Sequence, residues 1–70
     1  MKTISAEIRF SRHGEYGWTE TYRVEIPFNT KEDDEVEVIM DAVRPLLQDE
    51  FEEDEDWENG DMTWTLDSWG

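Results

Sequence analysis

The chain has no cysteine among its 70 residues, which excludes disulfides and thiolate zinc sites and makes the reducing cytoplasm its simplest home. It is poor in positive charge, with six Lys and Arg against 20 Asp and Glu, a net charge of −14. A surface so negative repels nucleic acid and anionic membrane, and attracts a basic protein over a long range. No stretch approaches the roughly 20 apolar residues needed to cross a bilayer, and the N-terminus lacks a basic segment followed by an apolar core. One His, two Lys and three Ser provide no nucleophile and base with a third orienting group, so the chain reads as a non-enzyme. His13, beside Gly14, reads as a solvent-exposed turn residue.

What is present is aromatic and acidic. Four Trp, two Tyr and three Phe supply much of the available core, each able to bury about 150–250 Å². Seventy residues form one domain spanning 1–70, and a chain of this length buries only about 60% of its unfolded surface. The charge is uneven. Residues 1–30 balance Lys2, Arg9, Arg12 and Arg23 against Glu7, Glu15, Glu20 and Glu25, so the whole excess lies in residues 31–70.

Lys2 to Arg12 alternates with period two, Ile4, Ala6, Ile8 and Phe10 on one face and Thr3, Ser5, Glu7, Arg9 and Ser11 on the other, and is predicted as the first strand. The two glycines in His13-Gly14-Glu15-Tyr16-Gly17 predict a hairpin loop. A second strand is expected over Trp18 to Ile26, with Trp18, Tyr22, Val24 and Ile26 inward, ending at Pro27. Glu20 breaks that pattern, as at a bulge or sheet margin.

Asn29 or Thr30 is the expected helix N-cap, and Glu32, Asp33, Asp34 and Glu35 suit the positive end of the helix dipole. Val36, Met40, Val43 and Leu47, with Ile39 and Leu46 beside them, form the apolar stripe that should cover the sheet. Pro45 predicts a kink, or two helical pieces meeting at Arg44-Pro45. Asn59-Gly60 signals a turn, and Met62 to Leu66 a third strand. The fold class is therefore α+β: a three-stranded antiparallel sheet in the order β-β-α-β, with the first strand central, covered by one kinked or broken helix.

The stretch Asp49 to Glu58 holds eight acids in ten residues, the others being Phe51 and Trp57. If helical, it would rise about 1.5 Å per residue and approach the phosphate spacing of duplex DNA, about 1.7 Å of axis per charge. Carboxylates three and four apart repel by about 0.2–0.5 kcal/mol per pair, so folding alone does not account for them. A frayed acidic tail is the plain alternative, although such tails are poor in aromatics. Asp54, Asp56, Glu58 and Gly60 imitate a calcium loop superficially, but Asn59 intervenes before the glycine and Thr65 stands where a bidentate Glu belongs. No specific metal or cofactor site is expected.

Asp49-Glu50-Phe51-Glu52-Glu53-Asp54-Glu55-Asp56-Trp57, then Asn59 and Asp61 to Leu66, resembles the acidic, aromatic-punctuated end of small phage anti-CRISPR proteins that imitate DNA. The resemblance covers the last third of the chain, and those inhibitors share no single fold. It implies occupation of the basic groove in which an RNA-guided nuclease reads the short duplex motif beside its target, in the cytoplasm of a host cell. The phosphate mimics it implies are Asp49, Glu50, Glu52, Glu53, Asp54, Glu55, Asp56 and Glu58, extended by Asp61. On that basis, reversing Glu52, Glu53 and Asp56 to Lys should abolish inhibition and leave the fold intact. Two other readings stand beside it: a small halophilic domain with a salt-adapted acidic surface, and an acidic interaction module for basic proteins.

Overall fold

A computed structural model describes residues 1–70. Its elements are β1 (Lys2–Arg12), β2 (Glu15–Ile26), a single 3-10 turn (Glu32–Asp34), α1 (Glu35–Glu50), α2 (Glu55–Asn59) and β3 (Met62–Trp69). The sheet is antiparallel in the order β2-β1-β3, as the alternation of β1 predicts. One face is covered by α1. The core comprises Ile4, Ala6, Ile8 and Phe10 of β1, Val24 and Ile26 of β2, Ile39, Val43 and Leu47 of α1, and Met62 of β3.

The hairpin is tighter than the two glycines imply. Only His13 and Gly14 form the turn, both at positive φ (52° and 81°), the combination that matches the twist of two antiparallel strands. Glu15 and Tyr16 are already in β2. Gly17 is the extra residue of a bulge, since Phe10 pairs with Trp18 and Ser11 with Tyr16. A Cβ at Gly17 would lie 3.3 Å from the Phe10 carbonyl oxygen, so this glycine serves a close backbone approach. Glu20 pairs in register with Ile8, so it lies on the marginal strand rather than at the bulge.

Neither expected N-cap starts the helix. The Thr30 hydroxyl donates to the Pro27 carbonyl at 2.8 Å, closing a turn, and helical structure begins two residues later behind an uncapped Lys31. The buried stripe is narrower than the sequence implies, running Ile39, Val43, Leu47 with Met40 half-buried. Val36 and Leu46 stay 40% and 42% exposed. A sheet of only three strands has room for one line of side chains beneath a helix, and these two fall to its sides.

Pro45 does not break α1, which runs unbroken through it to Glu50. The carbonyl that loses its partner belongs to Asp41, and both residues are exposed, the setting in which an unpaired helical carbonyl costs least. The break comes six residues later. Phe51 leaves the helix at φ −105°, ψ 20°, drawn by its ring, which meets Phe10 edge-on at 5.2 Å.

Candidate functional site

The acidic run is not one helix. Asp49 and Glu50 end α1, Phe51 to Glu53 turn, Asp54 starts α2 in extended conformation, and Gly60 ends it at φ 79°. An even, helical charge spacing is therefore absent. The run is nonetheless anchored. Phe10 stacks on Trp18 at 4.8 Å, Phe51 meets both rings, and Trp57 stacks on Phe51 at 5.7 Å. The two aromatics that interrupt the acids are the ones that dock them on the hairpin.

Arg12 organises the rest. It follows Phe10 on the inward face of β1, where a guanidinium needs carboxylates. Its Nη2 donates to Asp54 at 2.8 Å and its Nη1 to Asp54 at 3.1 Å and Asp56 at 2.5 Å. Its planar head lies 4.9 Å from the centre of the Trp18 ring, a cation–π arrangement. Asp54 also caps α2, accepting from the main-chain N–H groups of Asp56 and Trp57. The Arg12 hydrogen bond, then the cap, hold the Asp54 carboxyl below its ordinary pKa, and the two aspartates raise that of Arg12.

Other acids are also engaged. The Tyr22 hydroxyl contacts Glu20 at 2.9 Å and Glu50 of the acidic run; its single proton serves one carboxylate at a time. Burial first, then these two acids, raise the Tyr22 pKa above the usual phenol range. His13 Nε2 lies 3.4 Å from Asp56 and Nδ1 4.0 Å from Asp61. These three residues place one donor atom each within 4.8 Å of one another, the closest approach to a metal-ligand set in the chain. Arg12 already holds the second oxygen of Asp56, so the group is accounted for as a polar contact between the hairpin turn and the start of β3. The His13 main-chain N–H, donating to the Asp61 carbonyl at 2.8 Å, reinforces it.

The nine acids that the sequence singles out thus divide. Glu50, Asp54, Asp56 and Asp61 have partners within the fold. Asp49, Glu52, Glu53, Glu55 and Glu58 are exposed and make no side-chain hydrogen bond or ion pair. Reversing Asp56 would set a lysine against Arg12, so Asp56 does not belong among the changes expected to spare the fold.

For two of the free acids, α2 offers a local explanation, because Glu55 and Glu58 lie near its positive end. For Asp49 the reverse holds. It sits in the last turn of α1, which has no basic residue there, and an acid at the negative end of a helix dipole costs about 0.3–1 kcal/mol. Glu52 and Glu53, in the turn that follows, lie outside both helices.

A shallow groove of about 480 Å³ lies between the two helices, lined by Pro45, Gln48, Asp49, Glu52, Trp57 and Glu58. Sequence reasoning found its acids but not the groove, nor the residues that shape the surface from a distance. For Arg12 the signal was available: the alternation that buries Phe10 turns Arg12 the same way. No helix is long and apolar enough to cross a membrane. No known protein family, curated protein or solved structure matches the chain.

Proposed function

We propose that the protein is a DNA-mimicking inhibitor that occupies the basic nucleic-acid-binding groove of a host defence protein, with an RNA-guided nuclease complex as the target that the resemblance implies. The observation that carries the reading is the group of free acids at one end of the molecule. Asp49, Glu52, Glu53, Glu55 and Glu58 are unpaired, yet the segment bearing them is fixed to the core through Phe51 and Trp57. Asp49, Glu52 and Glu53 carry charge that neither helix explains, and holding it in place with side chains that build the core suits a preorganised surface for a cationic partner.

Size agrees. The molecule measures 37 × 20 × 17 Å, close in length to one turn of duplex, about 34–36 Å.

Capture of host-cell lysate on the immobilised protein, with elution by salt, tests the reading. Recovery of a basic nucleic-acid-binding protein, displaced by that protein's own DNA, supports it. Retention of proteins that DNA does not displace, or of none, overturns mimicry; a requirement for molar salt to fold would favour the halophilic domain.

A further inference from the structure

The way this protein holds its own arginine bears on the groove between α1 and α2. Arg12 is bound by two carboxylates, Asp54 and Asp56, while its planar face rests on the Trp18 indole. The groove between α1 and α2 brings together the same residue types: Asp49, Glu52 and Glu58 with Trp57. None of these carboxylates has a partner, and no Lys or Arg lines the groove.

Trp57 is stacked on Phe51, so its ring is held still and only half-buried. A rigid indole beside acids favours guanidinium over ammonium. Guanidinium is flat and weakly hydrated, and carries five N–H donors in a fixed fork, whereas an ammonium is a compact, strongly hydrated charge. The groove is shallow and open, about 480 Å³, so an arginine side chain would lie along it with its main chain in solvent.

We propose that this groove is an arginine receptor, which takes one arginine side chain of the basic partner between Asp49, Glu52 and Glu58 and against Trp57. The proposal rests on the reading above, that this end of the molecule meets a cationic protein, and adds which cation it selects and where. The remaining free acids, Glu53 and Glu55, supply attraction without selectivity.

The test is a titration of the full chain with a short arginine-containing peptide and with the same peptide carrying lysine, followed by NMR through the Trp57 indole N–H. The arginine peptide should shift that signal saturably and bind about two- to five-fold more tightly than the lysine peptide. D49N, E52Q and E58Q should each erase the preference, whereas E53Q and E55Q weaken both peptides equally and keep it. Equal affinity for the two peptides, or the same effect from all five variants, overturns the proposal and leaves a diffuse acidic surface. Mimicry is judged separately by DNA displacement of the captured partner: a selective groove whose partner ignores DNA retains this inference and discards that reading. Displacement without arginine preference does the opposite.

Discussion

Arg12 Nη2 and Asp54 Oδ2 lie 2.8 Å apart, joining the end of the first strand to the start of the last helix across 42 positions of sequence. Asp54 is at once the cap of α2 and a ligand of Arg12, so loss of either role loosens the other. The middle of the acidic run is therefore part of the fold, and its charge there is already answered from within.

Replacing Arg12 by Met should leave Asp54 and Asp56 facing each other without a counter-ion, and release α2. Hydrogen exchange is expected to accelerate at the amides of Asp56 and Trp57, with a clear fall in Tm. Arg9→Met is the control. Its pair with Asp67 is long, 3.7 Å, and exposed, so the change should stay within about 0.5 kcal/mol. Equal effects from the two variants would show that Arg12 is another surface charge.

The depressed Asp54 pKa gives this contact a pH dependence. A carboxyl with a folded-state pKa below its unfolded value stabilises the fold above the unfolded pKa, and that contribution disappears as pH falls through the folded one. The stability difference between the natural chain and Asp54→Asn should therefore be constant from neutral pH to about pH 5, and narrow below about pH 4. Urea denaturation at several pH values measures it. A gap that widens with acid would contradict the assigned contact.

The strands and their order were legible because a half-covered sheet imposes period two, and Ile4, Ala6, Ile8 and Phe10 obey it without exception. The helix was legible in position and less so in width, since apolar periodicity marks every residue near the sheet whereas a narrow sheet buries only Ile39, Val43 and Leu47. Pro45 does not divide the helix, because the hydrogen bond it removes falls between two exposed residues, Asp41 and Pro45, where its loss costs least. Division of the acids into engaged and free could not be read locally. It depends on Arg12 and Tyr22, which lie far away in sequence and reach Asp54, Asp56 and Glu50 only once the hairpin has formed.

His13 occupies a left-handed backbone position, φ 52°, that L-residues adopt at some cost. Asparagine before Gly14 is better suited to a two-residue turn of this type. His13→Asn should stabilise the protein by about 0.5–1 kcal/mol, offset in part by loss of the imidazole contacts to Asp56 and Asp61. Thermal unfolding checks it. A net loss of stability would mean that those contacts, 3.4 and 4.0 Å long, outweigh the backbone preference.

If Asp49, Glu52 and Glu53 serve a partner rather than the fold, removing their charge should make the isolated protein more stable and its complex weaker. Asp49 opposes the α1 dipole, and Glu52 and Glu53 add repulsion without a compensating contact. Asp49→Asn and Glu52→Gln should each gain about 0.3–0.5 kcal/mol at low salt, with the gain shrinking as salt screens it. Asp56→Asn should lose stability, because it removes a ligand of Arg12. Opposite signs within one acidic run would separate charge retained for folding from charge retained for binding. Losses at all three positions would instead place the whole run in the service of the fold, and deprive the proposed binding surface of its main support.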